Sequence, residues 1–158
     1  MASALPRKIA LGGAGEAEAE LGGLAVVADV DAMRTQLPEY QQGIKAGLAG
    51  DYVANSVHPE ASYLNKRLTS AAMERRTDLV IDGTGDSGVA SVGKKIENAR
   101  AAGYKVKGHY VTTDVDTAIA RAKGREAKTG RGVPEQYLRD THRNVSQIFP
   151  EIAGKFDS

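Results

Sequence analysis

The sequence predicts an α/β domain built on a parallel, doubly wound sheet, and three features carry that expectation. Short apolar runs alternate with longer stretches at helical spacing. The run Leu79-Val80-Ile81 is apolar at every position, which suits a central strand covered on both faces better than one with a wet side. Asp82, Gly83, Thr84 and Gly85 follow it at the carboxyl end, where open α/β sheets place their ligands. Asp82 has a second reading, as an acceptor for turn amides.

The elements follow in order. Lys8 to Leu11 forms a first strand entering a glycine turn at Gly12, Gly13 and Gly15, and Leu24 to Ala28 forms a second. The connection between them holds five glycines, and only Glu16 to Leu21 can be helical. That is roughly 9 Å of helix against the ~17 Å of an ordinary strand, barely enough for a parallel crossover. Asp31 to Arg34 starts a short helix that Pro38 stops, and Tyr40 to Asn55 reads as a loop or as short helices. Pro59 to Arg76 is an amphipathic helix through Ala61, Leu64, Leu68 and Ala71. Ser91 to Ala102 is another, with Val92, Ile96 and Ala99 on one face and Gly103 as its cap. Tyr104 to Val111 gives the next strand, and Asp114 N-caps a helix through Val115, Ala118, Ile119 and Ala122. Lys123 to Gly132 reads as a basic, glycine-bearing loop that orders as a lid over phosphate, and Pro134 opens a last helix buried through Leu138, Thr141, Val145 and Ile148.

Composition narrows the function. With 158 residues the chain makes one domain, and a net charge of +1 gives no general pull towards nucleic acid or membrane. The absence of cysteine excludes disulfides, thiolate metal sites and a cysteine nucleophile. The first residues lack the pattern of a signal peptide and no stretch is a membrane span, so a cytoplasmic location is expected.

The glycines after the first strand admit three readings. A dinucleotide fingerprint fails at Glu18, where its last glycine belongs. A Walker A loop needs a lysine and a hydroxyl residue, and none lies between Gly12 and Gly23, where Glu16, Glu18 and Glu20 would repel a triphosphate. The third reading is an ordinary strand-to-helix turn. Asp31 stands just past a parallel strand, where a carboxylate can accept the proton of a hydroxyl attacking phosphorus, or can simply cap a helix. Arg121, Arg125 and Arg131 have the density of a phosphate clamp, although each singly also suits a solvated surface. The three histidines, His58, His109 and His142, have no metal-ligand spacing and read as structural or substrate contacts.

Five pieces in order, VVADVDAMRTQLPEY (26–40), VHPEAS (57–62), LVIDGTG (79–85), AGYKV (102–106) and AIARAKGREAKTGRGVP (118–134), resemble the zeta toxin family, P-loop kinases that include UDP-N-acetylglucosamine kinases of phages and bacteria. The resemblance covers residues 26 to 150 and implies a three-layer P-loop kinase fold, ATP as donor, Mg2+, and a sugar nucleotide or similar hydroxyl compound as acceptor. It implies an antitoxin or assembly protein as partner. Carried over by position, Asp31 is the base. Arg34, Glu60, Ser62, Asp82 and Thr84 line the acceptor site, with Asp82 near the metal. Arg121, Arg125 and Arg131, with Gly12, Gly13 and Gly15, hold the ATP phosphates. The chain departs from the family at GEAEAELGG (15–23), in place of a lysine-bearing loop and a full helix, and at its last residues, about where a further strand is expected. The expectation is therefore a phosphotransferase impaired as written, with an inactive binding or structural module of a larger assembly as the alternative.

Overall fold

The computed structural model describes residues 7–12, 24–129 and 132–158. Four strands, β1 (Arg7–Gly12), β2 (Val26–Ala28), β3 (Leu79–Ile81) and β4 (Tyr104–His109), make one sheet in the order β2-β3-β1-β4. Every pairing is parallel: Ile9 stands opposite Leu79, Arg7 opposite Tyr104, and Val26 opposite Leu79. The chain leaving β1 passes beyond β3 to the edge, whereas the chain leaving β3 crosses β1 to reach β4. Neighbouring strands thus send their chains in opposite directions, which is the doubly wound arrangement expected, with its crevice at the carboxyl ends of β1 and β3. Leu79 and Val80 point to opposite faces and both are fully buried, so β3 is the covered interior strand its composition called for. The second strand starts at Val26 and not at Leu24, which is almost fully exposed.

Seven helices are described: α1 (Val30–Gln36), α2 (Pro38–Lys45), α3 (Gly50–Ser56), α4 (His58–Glu74), α5 (Val89–Ala101), α6 (Val115–Thr129) and α7 (Glu135–Ala153). The main core lies where α4, α5 and α7 meet one face of the sheet, joining Ala72, Leu79, Ile96, Val106 and Ile152. Tyr104 is buried in it and its hydroxyl donates to Thr77 O at 2.8 Å, so its one polar atom is satisfied. A smaller core of Leu37, Val57 and Ala61 seats α1 on α4. Tyr40 to Asn55, open between loop and short helices from sequence, is largely α2 and α3. Gly103, at φ 84, ends α5 as a left-handed cap.

One expectation is overturned. The basic segment from Lys123 is not a loop, because α6 continues to Thr129. Lysine, arginine, glutamate and alanine are strong helix formers, and together they outweigh the ~1 kcal/mol that Gly124 costs. Its partner α7 is tied to it by polar contacts, Lys123 to Glu135 at 3.1 Å and Arg139 to Asp116 at 3.1 Å. The Glu135–Arg139 hydrogen bond first, and then these two contacts, hold Glu135 below and Arg139 above their usual titration ranges.

The last residues lie against β4. Asp157 N donates to Val106 O at 2.8 Å and Gly108 N donates to Ser158 O at 3.0 Å. The Asp157 carboxylate accepts from Val106 N at 2.7 Å and from Arg100 at 2.8 Å.

Candidate functional site

The site begins with the register of β2 and β3. Ala28 stands opposite Ile81, and Asp82 N donates to Ala28 O at 3.1 Å. The segments carrying Asp31 and Asp82 therefore leave neighbouring strands at one level and at the same edge of the sheet. Asp29, in extended conformation, is the N-cap of α1 and accepts from Asp31 N at 2.7 Å. Asp31 is thus not the cap, and its carboxylate forms an ion pair with Arg34, one turn along. Thr84 follows Asp82 and donates its hydroxyl to Asp86 at 2.6 Å. Gly85 and Gly88, at φ 76 and 93, let the chain turn sharply there into α5.

Helix α4 runs back along the sheet and delivers the chain to β3, so its first turn stands at the carboxyl edge. Glu60 is exposed in that turn. Ser62, one turn after His58, is half-buried, and its hydroxyl is 3.3 Å from His58 Nε2.

Between the ends of β3 and β4 there is a cavity of about 80 Å³, with Asp82 and Thr84 at one side and His109 at the other. Its walls are mainly apolar and include Val92, Phe149 and Phe156, and Lys95 also reaches it. Tyr110 also lines the cavity and stacks on Phe149 at 4.3 Å between ring centroids. Sequence reasoning singled out neither Lys95 nor Tyr110. The rule that found Asp82 also covers Tyr110, since both follow the carboxyl end of a parallel strand. Lys95 has only its spacing of three from buried Val92 as a signal.

Arg121 and Arg125 are exposed on α6, the helix that follows β4, four residues apart. Two strand spacings, about 10 Å, separate β4 from β3 with β1 between them. Asp114 caps α6 by accepting from Thr117 N at 2.8 Å, and its titration is lowered by the Thr117 side chain first and the amide second. Gly12 ends β1 opposite His109. Gly13, Gly15, the short helix expected at Glu16 to Leu21, and Arg131 lie outside the described residues.

A parallel sheet of this order, with carboxylates and a hydroxyl side chain at its carboxyl edge, defines an α/β fold of the ligand-binding, doubly wound class. The chain belongs to the zeta toxin family, whose model matches residues 13–158. In structure it is similar to a chain of the PezAT chromosomal toxin-antitoxin system of Streptococcus pneumoniae, with a TM-score of 0.71 and 21% identity, covering 99% of this chain and 68% of that one. It is similar also to a chain of the Pnkp1/Rnl/Hen1 RNA repair complex, with a TM-score of 0.63 and 13% identity, covering 95% of this chain and 47% of that one. At these identities the two likenesses concern the fold. No curated protein matches by sequence. Family membership suggests a P-loop kinase-like phosphotransferase, of a kind that uses ATP and Mg2+. Among the described residues no helix is long and apolar enough to cross a membrane.

The sequence from Gly12 to Gly23 holds three glutamates and neither the lysine nor the hydroxyl residue of a triphosphate-holding motif. Among the described residues no group of three or more His, Asp or Glu could hold a metal ion.

Proposed function

We propose that the protein is a phosphotransferase of the zeta toxin type whose acceptor half is intact and whose donor half is impaired. The acceptor is a small hydroxyl compound such as UDP-N-acetylglucosamine. Asp31 receives the proton of its hydroxyl, and Thr84, Ser62, Glu60 and Asp82 surround it, with Arg34 beside Asp31 and Asp82 on the side of the metal. Arg121, Arg125 and Arg131 belong to the phosphate side. The observation that supports this reading is the register of β2 and β3, which sets the Asp31 and Asp82 segments side by side at the ligand edge.

Impairment follows from the loop. Loss of one well-placed electrostatic donor costs roughly 3 kcal/mol of transition-state stabilisation, a hundredfold or more in rate, and both the lysine and the metal-holding hydroxyl are missing from the sequence here. The likeness to a toxin-antitoxin protein supports an antitoxin as partner. The departure at 15–23 also favours a second reading, a kinase-like module that binds without turning over.

The test is calorimetry with UDP-N-acetylglucosamine, and with ATP and Mg2+, beside a phosphoryl-transfer assay. Binding of the sugar nucleotide with transfer well under about 1 per second is expected. Transfer at or above that rate refutes the impairment. Failure to bind either ligand, with Asp31→Asn indistinguishable from the unmodified protein, favours the module.

A further inference from the structure

We propose that Arg34 is a positioning residue for Asp31: its guanidinium holds the carboxylate in place for the acceptor hydroxyl and does not itself touch the acceptor. The inference rests on the acceptor reading of Asp31. Val30, Met33 and Leu37 seat α1 on α4 against Val57, Ala61 and Leu64. Arg34 lies four residues after Val30 and three before Leu37, so it belongs to this packed stripe. The consequence is visible in exposure, with 12% for the Arg34 side chain against 52% for Asp31, its ion-pair partner. A half-open carboxylate is backed by a nearly enclosed cation.

That asymmetry separates the two roles. A guanidinium that binds a phosphate or a sugar must present its donors to an open cleft. Arg34 instead has most of its surface against protein, and its Nη2 meets the Asp31 carboxylate one turn before it. A guanidinium held by packing fixes the position of that carboxylate better than the flexible stem of a lysine does. The N-cap bond of Asp29 fixes the same turn from the other side, since it takes the amide of Asp31.

The experiment uses the ligand-free protein first. The 13C signal of the Asp31 carboxyl and the hydrogen exchange of the Arg34 guanidinium Nη–H groups are read by NMR in the unmodified chain, in Arg34→Met, in Arg34→Lys and in Asp31→Asn. The expected result is a displaced Asp31 signal in Arg34→Met, partial return in Arg34→Lys, and several-fold faster Arg34 exchange in Asp31→Asn. Asp31→Asn leaves Arg34 itself in place, so the pairing is tested even if Arg34→Met unfolds. An Asp31 signal unmoved in folded Arg34→Met, or Arg34 exchange unmoved in Asp31→Asn, overturns the pairing. Calorimetry with UDP-N-acetylglucosamine then separates holding from contact. Affinity within about threefold in Arg34→Met is expected, whereas loss of a charge-assisted contact weakens binding roughly tenfold or more and overturns the proposal. No binding to the unmodified protein overturns the acceptor reading, and the ligand-free signals still decide the pairing.

Discussion

Replacing Gly108 by alanine should destabilise the protein by forcing Phe156 out of its seat. A methyl on Gly108 would stand 2.7, 2.8 and 2.9 Å from three atoms of the Phe156 ring, whereas carbon atoms pack best at about 3.5–4.0 Å. The ring must retreat by nearly an ångström, and its backbone is not free to follow. Asp157, the next residue, is bonded through amide and carboxylate to Val106, and Arg100 grips both Lys155 O at 2.6 Å and the Asp157 carboxylate at 2.8 Å. Overpacking of this kind costs about 1–3 kcal/mol, offset by about 0.5–1 kcal/mol for removing a glycine from a strand. The net expectation is about 1–2 kcal/mol, or roughly 2–8 °C in Tm for a chain of this size. Urea unfolding at neutral pH measures it as a lower midpoint at unchanged slope. Phe156→Ala supplies the control: with the ring gone, the Gly108→Ala penalty should vanish, giving a coupling of at least about 1 kcal/mol. A neutral or stabilising Gly108→Ala, or costs that simply add in the double variant, would refute the steric argument.

Three further outcomes are expected. Asp157 titrates below its ordinary value of 3.8, first because Val106 N donates to it and then because of Arg100. A depressed carboxylate contributes stability above its unfolded pKa that is lost as pH falls through the folded value, so Asp157→Asn should flatten the loss of stability below about pH 4, and identical acid profiles would show the bonds do not form in solution. Residues 123–129, being helical, should already show slowed amide exchange without ligand, and pyrophosphate should raise their protection only modestly; protection absent until pyrophosphate arrives would restore the disordered lid. Grafting a glycine-lysine-serine loop and a full-length helix in place of 12–23 should produce phosphoryl transfer that Asp31→Asn abolishes, and a folded graft with activity indifferent to Asp31 would remove Asp31 from the chemistry.

The parallel architecture was legible because it rests on local signals that agree with one another. The apolar run at 79–81, the helical spacing of Val92, Ile96 and Ala99, and Gly103 after them each survive into the structure. Two departures have physical causes. Lys123 to Gly132 reads as a loop because it is basic, carries three glycines and lacks an apolar stripe, yet over 123–129 a helix standing largely in solvent needs none when its residues favour helix intrinsically and its partner holds it by an ion pair. Leu24 reads into β2 by its apolar character, but pairing starts at Val26, where β3 offers a partner. At the site, Asp31 and Thr84 could be placed by position after a strand. The partner of Asp31 could not, because Arg34 reads equally well as a ligand contact until its burial against α4 is known. The cavity lined by His109 and Tyr110 joins residues more than twenty positions from Asp82, and only the crossing of β1 brings those strand ends near one another.

The same topology holds the proposed acceptor residues together. Asp31, Arg34, Ser62, Asp82 and Thr84 all come from the span 31–84, and the elements that carry them are fastened to each other. Leu37, Val57 and Ala61 join α1 to α4, and Ala72 and Leu79 join α4 and β3 to the main core. Backbone bonds from Val26 N to Asp78 O at 2.9 Å and from Asp82 N to Ala28 O tie β2 to β3 at both ends. On the proposed reading these contacts keep the acceptor residues together while the sequence at 12–23 governs transfer, so measuring acceptor binding and transfer separately distinguishes an impaired kinase from a module that does not bind an acceptor.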